Sequence, residues 1–544
     1  MPGGLLNIIS VGNANLFLTG NPSKTFFKVT YSKYTNFGLQ KFRMDFDGSR
    51  ELRLTESSKF TFKMKRYGDL LMDTYLVLNL PDIWSPIWDA NNDSDSPYYT
   101  NNQYSPYDFK WIENLGAQMI EEVEIICGSQ VIQKYSGQYL HAMVSRDFTN
   151  EKKNLFDAMS GNVPELNNPG NNPYRTFTSP YKENTYPSAK YTTNTSGAEP
   201  SIRGRQLYIP LNAWFTLDNR CAFPLIALQY QELTINVTLR PMYHLFQVRD
   251  VFNHENNFPY VQIAPGADEF QMYRFLQTPP STDLTNTNYT NKLNTWNADV
   301  HLLSTYCFLS EEEQKKFAAQ DQIYLIKEIH EYDFLNVVGS SRVKLQSTSG
   351  MVADWMWYFQ RNDAFMRNEW SNYTNWPYKN NIPSNIVLDD TSSLYITGDY
   401  SSANNRPILE TFGLLFGPDY REISMPRGVY DYVEKYTRTR GFGEEGLYCY
   451  NFCLNTSPFE YQPSGAVNVG RFKDIEFEFT TYKPPIDISG STVNIECDDN
   501  NTPINISSKP SWALYVYNYN LHVFEERLNI LSFVSGNCGM AYAR

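Results

Sequence analysis

The stretch Gln462-Pro-Ser-Gly-Ala-Val-Asn-Val-Gly-Arg471 leads into the alternating segment Lys473-Asp-Ile-Glu-Phe-Glu-Phe-Thr480. Pro463 and Gly465 are residue types that punctuate turns, so the first segment predicts a turn. In the second segment apolar residues occupy every other position, which predicts a strand with one buried face. The residues of that face are Ile475, Phe477 and Phe479. Together the two segments predict a turn that feeds a late β-strand.

The same period-two alternation recurs elsewhere in the chain. Apolar residues line one strand face in Phe60-Thr-Phe-Lys-Met64, Leu233-Thr-Ile-Asn-Val-Thr-Leu239 and Trp355-Met-Trp-Tyr-Phe359. In the third segment Met356 and Tyr358 make the opposite face apolar as well. Strands of this kind, separated by Gly, Pro and Asn turns, are typical of an antiparallel sandwich. The sequence therefore predicts an all-β protein.

The length and composition restrict the class of the protein. At 544 residues the chain is too long for one ordinary core, so at least two domains are expected. The formal net charge of -13 disfavours a protein that wraps nucleic acid, because neutralising phosphates needs clustered Lys and Arg. The basic group Lys63-Met-Lys-Arg66 is predicted to lie on a solvated strand face, since Lys63 and Lys65 alternate with apolar residues.

The sequence shows no clear membrane-spanning or targeting segment and no clear pattern of paired cysteines. No segment approaches the ~20 apolar residues needed to span a bilayer. The N-terminus lacks a basic start and a clear cleavage site, and Pro2 stands where N-myristoylation needs glycine. The seven cysteines are odd in number and scattered, which favours free thiols in a reducing environment. They are Cys127, Cys221, Cys307, Cys449, Cys453, Cys497 and Cys538.

Helical signals are scarce, and the strongest is Ser310-Glu-Glu-Glu-Gln-Lys-Lys-Phe-Ala-Ala319. Ser310 is predicted to be the N-cap, with Glu313 completing a capping box. Glu311 and Lys315 form an i,i+4 pair of the favourable orientation. Long polar stretches without strand alternation are interpreted as loop insertions in a framework of strands. These stretches cover residues 84–108, 160–201, 252–297, 362–406 and 487–510.

Motifs for catalysis or cofactor binding are weak. Gly441-Phe-Gly-Glu-Glu-Gly446 has dinucleotide-loop spacing, but its glutamates would repel phosphate and Leu447-Tyr-Cys-Tyr-Asn-Phe452 resembles a strand rather than the required helix. Asn92-Asp-Ser-Asp95 lacks the glycine and the distal glutamate of a calcium loop. The six histidines have no metal-ligand spacing. We therefore predict no catalytic, cofactor or metal site and no enzymatic activity.

Two surface features stay open at this level. N-x-S/T sequons are common, and Asn236 is the least suitable acceptor because it lies inside a predicted strand. The aromatic segment Trp370-Ser-Asn-Tyr-Thr-Asn-Trp376 could form a sugar-stacking platform, but a loop cluster that packs on itself or on another subunit is favoured. The candidate glycosylation sites are Asn92, Asn194, Asn288, Asn372, Asn455, Asn500 and Asn505.

Four motifs follow one another along the chain. They are Arg66-Tyr-Gly-Asp69, Ala222-Phe-Pro-Leu-Ile-Ala-Leu-Gln-Tyr-Gln-Glu-Leu233, the turn at Gln462–Arg471, and Asn529-Ile-Leu-Ser-Phe-Val-Ser-Gly536. In this order they resemble the major capsid proteins of nucleocytoplasmic large DNA viruses. The turn departs from the family pattern, which continues into Phe-Ser-Arg where this chain has Val469-Gly470-Arg471. The motif residues are Arg66, Gly68, Asp69, Gln462, Pro463, Ser464, Gly465, Asn468 and Arg471.

The resemblance implies a double jelly roll, in which two tandem jelly rolls each have eight antiparallel strands in two packed sheets. It also implies long loop insertions, few short helices, and strands at Leu70–Pro81 and Leu225–Tyr230. A weak internal sequence similarity, an echo between the two halves, agrees with a duplication. Val123–Val131 and Phe412–Tyr420 each have the pattern of an apolar strand followed by a glycine and a polar turn. The implied division is an assembly arm at 1–24, a first jelly roll at 25–320 and a second at 321–544.

The resemblance further implies a structural major capsid protein. Its homotrimers would form pseudo-hexagonal capsomers that tile an icosahedral shell, in a virion assembled in the host cytoplasm. The implied partners are the protein itself, minor capsid and vertex proteins and inner-membrane-associated proteins, with no direct nucleic-acid binding. The loop lengths and the arm Met1–Tyr34 are most similar to the mimivirus-like branch of the family.

Two other functions were weighed against this one. A secreted carbohydrate-binding or glycoside-processing β-sandwich protein is the main alternative, and it would carry a secretion signal, paired cysteines and a carboxylate pair in a cleft. The sequence supports none of these three features. A minor capsid or vertex protein would usually have a single jelly roll, which the two-domain length disfavours.

Overall fold

A computed structural model gives the structure of the chain. The residues it describes are 2–46, 48, 51–89, 104–171, 186–189, 199–250, 260–262, 270–280, 287–346, 350–376, 405–484, 493–497, 503–508 and 517–542. Strands are the main regular element among these residues, as the alternating segments predict.

The N-terminal half contains a jelly roll. Its strands are β1 (Phe37–Met44), β2 (Ser58–Lys63), β3 (Leu70–Asn79), β4 (Ile87–Asp89), β5 (Tyr104–Pro106), β6 (Phe109–Trp111), β7 (Ile120–Cys127), β8 (Gln130–Tyr135), β9 (Gln206–Pro210), β10 (Leu233–Leu239), β11 (Phe246–Arg249), β12 (Tyr260–Val261) and β13 (His301–Leu309). Eight of them form two four-stranded antiparallel sheets, in the orders β1-β13-β3-β9 and β2-β10-β7-β8. The remaining short strands belong to the loop insertions.

The C-terminal half repeats this arrangement. Its strands are β14 (Gln322–Val337), β15 (Ser340–Leu345), β16 (Met351–Arg361), β17 (Leu409–Phe416), β18 (Asp419–Pro426), β19 (Leu447–Asn451), β20 (Val467–Asn468), β21 (Ile475–Thr481), β22 (Val493–Cys497), β23 (Pro503–Ser508), β24 (Tyr519–Val534) and β25 (Asn537–Met540). The two main sheets run β14-β24-β16-β19 and β15-β21-β17-β18. Strand for strand this is the order of the first roll, so the fold is a double jelly roll.

The internal echo in the sequence corresponds to equivalent hairpins in the two rolls. Strands β7 and β8 pair around Gly128, and β17 and β18 pair around Gly417. Both glycines have positive φ, +62° and +66°, a conformation that glycine adopts without a Cβ penalty. The two hairpins hold the same place in their sheets, which confirms the duplication that the echo suggested.

Alternation explains which side chains enter the cores. In β2 Phe60 and Phe62 are buried between exposed neighbours, and Lys63 is exposed as predicted. Strand β16 is buried on both faces from Val352 onward. Its Trp355, Trp357 and Phe359 enter the core of the second roll. Met356 and Tyr358 pack instead into a cluster shared with the first roll. The doubly apolar pattern of this strand therefore marks the junction between the rolls.

The helices are short connectors. They are α1 (Gly4–Ile9), α2 (Leu16–Thr19), α3 (Leu115–Gln118), α4 (Gly137–Asp147), α5 (Asn150–Ser160), α6 (Pro164–Asn167), α7 (Trp214–Leu217), α8 (Glu311–Ala319) and α9 (Glu434–Arg438). Helix α8 confirms the prediction from residues 310–319, and it separates the two sets of strands. The described helices do not combine the length and apolar character that crossing a membrane requires.

Ser310 is the N-cap residue of α8, as predicted, but among the described contacts its side chain accepts no capping hydrogen bond, so the capping-box prediction is wrong. A second local prediction is also wrong. The segment Leu225–Tyr230 is not a strand, because Leu225–Ala227 forms a 3-10 turn. Ala227 N donates to Pro224 O at 3.0 Å, and this local bond replaces the ladder bonds that a strand would need.

The N-terminal segment lies apart from both cores. Every residue from 2 to 41 is exposed, including those of α1 and α2. The exposed fraction is 92% for Phe17 and 98% for Phe27, so these rings have no cover from their own chain. Only at Phe42 and Met44, within β1, does the chain become part of the first core.

Candidate functional site: the junction between the two jelly rolls

Helix α4 is the central element of the junction. It belongs to the first roll, and its residues are buried except Gln138. Ser136 caps it, because the hydroxyl accepts a hydrogen bond from Tyr139 N at 3.2 Å. Its last-turn carbonyls accept from the second roll: Gly441 N donates to Arg146 O at 2.8 Å, and Gly443 N donates to Ser145 O at 2.7 Å. The second roll thus satisfies the C-terminal end of a helix from the first.

This contact also explains the role of the glycine spacing at residues 441–446. A Cβ at Gly441 would lie 2.6 Å from Ser145 O, so only glycine fits against the helix end. The amides that a phosphate would need are bonded to α4, and the loop continues into β19 rather than a helix. The loop prediction is confirmed, and the glycines serve the junction.

A buried ion cluster lies at the end of α4. Arg146 Nη1 is 2.6 Å from Asp354 Oδ1 on β16, and Arg146 Nη2 is 2.8 Å from Glu526 Oε1 on β24. The same guanidinium contacts Asp147 at 2.7 Å. Lys327 Nζ on β14 is 2.7 Å from Glu526 Oε2. Charges from both rolls therefore meet in one cluster, which is buried except at Lys327.

Hydrogen bonds from uncharged side chains to the carboxylates complete the cluster. Tyr139 OH donates to Glu526 Oε1 at 2.9 Å, and Thr456 Oγ1 donates to Asp147 Oδ1 at 2.5 Å. Both donors are buried. Buried charges are tolerated only when their remaining lone pairs are satisfied in this way. The cluster is therefore a fixed arrangement, in which removal of one partner leaves the others unpaired.

The cluster contains two cations and three carboxylates, so one carboxylate lacks a full counter-charge. Burial raises the pKa of Asp354 to about 7, against the attraction of Arg146. Burial alone would also raise the pKa of Glu526, but Arg146 and Lys327 outweigh it and lower that pKa to about 2. A proton on Asp354 makes the cluster neutral. Asp354 therefore titrates near neutral pH, and burial also raises the pKa of Asp147 in the same cluster.

A second contact between the rolls is the segment Ala364–Trp376. Asn368 Nδ2 donates to Phe246 O at 2.8 Å, and Trp370 Nε1 donates to His244 O at 3.0 Å. Tyr373 is buried and stacks on Tyr358 with ring centroids 4.0 Å apart. The aromatic cluster at Trp370–Trp376 thus packs within the molecule, as the favoured interpretation held, and Tyr373 is not available for stacking on a sugar.

A third contact joins the C-terminal hairpin to the first roll. Gln229 N donates to Gly536 O at 3.0 Å, and Cys538 N donates to Gln231 Oε1 at 2.8 Å. Gly536 has a φ of +82°, and a Cβ there would lie 2.9 Å from Gln229. The motifs 222–233 and 529–536 are therefore brought together, although nearly three hundred residues separate them.

The motif Arg66–Asp69 ties the first roll to α8. Asp69 Oδ2 accepts from Leu309 N at 2.8 Å and from Gln314 Nε2 at 2.9 Å. Arg66 is exposed, and its Nη2 donates to Gln231 O at 3.1 Å. A Cβ at Gly68 would lie 3.1 Å from Cys307 O, so this turn presses closely on β13. The motif residues therefore hold the backbone of this turn against β13 and α8.

The Pro-Ser-Gly turn lies beside the ion cluster. Ser464 Oγ accepts from Asn455 N and donates to Asn455 O, both at 3.0 Å. Gly465 has a φ of +140°, and a Cβ there would lie 2.8 Å from Phe452 O. Asn468 Oδ1 accepts from Gly470 N at 3.1 Å. Gln462, Pro463 and Arg471 are exposed.

The candidate glycosylation sites differ in their surroundings. Asn372 is 6% exposed, and its Nδ2 donates to Trp376 O at 2.8 Å, so the folded chain covers this side chain. Asn455 is half-buried beneath the Pro-Ser-Gly turn, and Asn288 is exposed. Asn236 lies in β10, as predicted. Asn92, Asn194 and Asn500 lie outside the described residues, as does the side chain of Asn505 in β23.

The cysteines and potential metal ligands show no catalytic arrangement in the described part of the chain. Cys449 and Cys453 are buried free thiols, and burial raises the pKa of each to about 12. Cys127, Cys221, Cys307 and Cys538 are also buried and free. No group of three His, Cys, Asp or Glu among the described residues could hold a metal ion. The Asn92–Asp95 segment lies outside them.

Comparison with known proteins agrees with this fold. The family described as "Major capsid protein N-terminus" matches residues 25–277. The major capsid protein of Phaeocystis pouchetii virus is 23% identical, with all of both chains covered. Capsid protein 1 of Acanthamoeba polyphaga mimivirus is 28% identical over 60% of this chain and 44% of its own length.

A solved capsid structure is also similar to this chain in three dimensions. The PBCV-1 virus capsid structure superposes with a TM-score of 0.59 at 18% identity, covering 96% of this chain and all of that one. Both rolls therefore take part in the likeness. Together with the repeated strand order, these matches show that the chain resembles the major capsid proteins of nucleocytoplasmic large DNA viruses in sequence and in its double jelly-roll fold.

Proposed function

We propose that the chain assembles as a homotrimer into pseudo-hexagonal capsomers, which tile an icosahedral viral shell. The observation that carries this proposal is the repeated strand order of the two jelly rolls. Two similar rolls side by side offer similar outlines to their neighbours. Three such chains around a threefold axis supply six similar blocks, which is the number that a hexagonal tile needs.

A tile also needs a fixed angle between its rolls. The ion cluster, the capping of α4 by Gly441 and Gly443, and the docking of residues 364–376 all join the two rolls. A large apolar cluster shared by both rolls accompanies these polar contacts. The junction therefore resembles a domain interior more than a mobile interface, which supports a subunit that assembles as one rigid block.

We assign residues 1–24 to an assembly arm, 25–320 to the first roll and 321–544 to the second. The arm exposes apolar side chains, and such surfaces usually mark interaction sites. The arm carries Lys24 and no acidic residue, and Lys28 and Lys33 follow directly after it, whereas the whole chain has a net charge of -13. This local positive charge favours docking of the arm and the segment after it on the acidic body of a neighbouring copy.

The proposal extends to location and partners. The protein would assemble in the host cytoplasm and reside in the virion, with minor capsid, vertex and inner-membrane-associated proteins as further partners. It would have no enzymatic role and would not bind nucleic acid directly, in keeping with its acidic charge. The carbohydrate-binding alternative loses its main support, because Tyr373 of the aromatic segment is buried at the junction.

Mass photometry of the purified full chain tests the trimer. One chain has a mass of 63.1 kDa, so a homotrimer has about 189 kDa. We expect the trimer mass to dominate at micromolar concentration, without added partners. A stable monomer or dimer at that concentration would count against the proposal.

A further inference from the structure

A cavity of about 100 Å³ lies between the two jelly rolls, beside the ion cluster. Leu140 and Trp214 of the first roll and Ala353 of the second belong to its wall, as does the Pro-Ser-Gly turn. One water molecule needs roughly 10–15 Å³ of such space. The cavity is therefore large enough for several waters or for one single-ring molecule.

Three polar atoms of the cavity wall are buried and, within the described structure, have no hydrogen-bond partner. They are Gln133 Oε1, Asn212 Nδ2 and Ser457 Oγ. Gln133 is 5% exposed and Ser457 is 4% exposed, so bulk water does not solvate their side chains. The Gln133 amide is held in place because its Nε2 donates to Lys327 O at 3.0 Å. A fixed acceptor, a donor and a hydroxyl are therefore left for an occupant.

The rest of the wall indicates what this occupant is. Leu140, Met143 and Leu211 are buried apolar side chains of the same cavity. The charged side chains that border it are already paired: Lys327 with Glu526, Asp218 with Arg220 and Glu460 with Arg440. A charged ligand would find no free counter-charge there and would lose its hydration. Apolar walls with a few convergent polar atoms at a domain junction are typical of small-molecule sites.

We propose that this cavity binds a small neutral molecule with one apolar ring and a group that both donates and accepts hydrogen bonds. The ring would replace water against Leu140 and Met143, and the polar group would pair with Ser457 and with Gln133 or Asn212. Because walls from both rolls contact the occupant, binding would stabilise the junction.

Phenol is the simplest probe of this chemistry, and calorimetric titration into the full-length protein measures its binding. The Ser457→Ala variant removes the hydroxyl but keeps the space, and we expect it to weaken phenol binding about 2- to 10-fold. Its melting temperature without phenol should not fall, because the hydroxyl has no partner in the protein. Ser10→Ala, on the exposed N-terminal segment, is the matched control and should bind phenol like the parent chain.

A second variant, Ala353→Leu, fills the cavity while keeping its polar atoms. We expect this variant to abolish phenol binding. If it fails to fold, the phenol affinity of Ser457→Ala still tests the proposal. Phenol should also raise the melting temperature of the parent protein in a saturable manner. Equal binding to the parent and to Ser457→Ala, or density for water alone in protein prepared with phenol, would overturn the proposal.

Discussion

Arg146 Nη1 lies 2.6 Å from Asp354 Oδ1, although the two residues belong to different jelly rolls and are 208 positions apart. Both side chains are fully buried. Their contact requires that α4 of the first roll be inserted against β16 of the second. This buried ion pair is therefore one of the contacts that set the relative placement of the rolls, beside the shared apolar cluster and the backbone contacts to α4.

Replacing Arg146 with methionine should strongly destabilise the protein. The substitution leaves the Asp147, Asp354 and Glu526 carboxylates buried together without their main counter-charge. Breaking one partner out of such a cluster typically costs about 3–5 kcal/mol. Urea unfolding measures the loss. The control is Arg342→Met, which removes an exposed pair with Glu478 and should change stability little.

Stability should fall as the pH rises through neutrality, because Asp354 has a raised pKa of about 7. The native state holds that proton more tightly than the unfolded chain does. The contribution is fully present below the ordinary pKa of 3.8 and is lost as the pH rises through 7. Asp354→Asn should flatten this dependence between pH 5 and 8, as measured by melting temperature.

Glu526 provides the opposite slope at lower pH. Its pKa is lowered to about 2, so its contribution is present above its ordinary value of 4.5 and is lost as the pH falls through 2. Between pH 5 and 8 it stays ionised and leaves the Asp354 effect visible. Asp474→Asn is the control, because the ordinary pKa of that carboxyl, 3.8, lies below the window and its hydrogen bond with Lys344 lowers the pKa further. An unchanged slope in Asp354→Asn would contradict the assignment.

Asp69→Ala should detach α8 from the first roll. The carboxylate accepts two hydrogen bonds, from Leu309 N and Gln314 Nε2. Leu309 N would lose this acceptor, and Gln314 Nε2 would keep only its 3.2 Å bond to Leu309 O. We expect a loss of about 1–3 kcal/mol in the free energy of unfolding. Lys315→Ala, exposed on the same helix, should change little. Equal effects of the two variants would show that the Asp69 contacts do not stabilise the fold.

Gly465→Ala tests the Pro-Ser-Gly turn. The new Cβ would lie 2.8 Å from Phe452 O, and the φ of +140° is a conformation that alanine avoids. Strain of this kind costs on the order of 1–3 kcal/mol. Gly539→Ala is the control, since a Cβ there meets no described atom within 4 Å. Thermal unfolding should separate the two variants by several degrees, and coincident curves would count against a strained turn.

Deleting residues 1–23 should leave the trimer folded but impair shell formation. Residues 2–23 are exposed and make no contribution to either core, so the melting temperature should change little. Loss of the arm would remove contacts to neighbouring copies. Scanning calorimetry and electron microscopy of assembly reactions measure the two effects. A truncated chain that unfolds or fails to trimerise would show that the arm belongs to the fold.

The sequence predicts the strands better than the junction, for a physical reason. Alternation in β2, β10 and β21 is local, and it directly reports one buried face. Helix α4 carries no such signal, because it is buried on nearly all sides and so lacks a polar face. Its Arg146 and Asp147 look like surface residues until their partners at Asp354 and Glu526 are known.

The second apolar face of β16 is the sequence feature that indicates where the junction between the rolls lies. Met356 and Tyr358 gave that strand two apolar faces, and a strand with two apolar faces must be covered twice. The strand that the family resemblance implied at Leu225–Tyr230 is absent, because the chain after Pro224 forms a 3-10 turn with local hydrogen bonds. Local patterns predict which side chains are buried more reliably than they predict partners.

Electron microscopy of the purified oligomer tests the central claim most directly. Class averages of the full chain, viewed down the threefold axis, should show three copies whose six jelly rolls give a pseudo-hexagonal outline. The two rolls of each chain should keep the relative placement that the Arg146–Asp354 contact fixes. Averages of another symmetry, or of single chains with rolls at variable angles, would contradict the account.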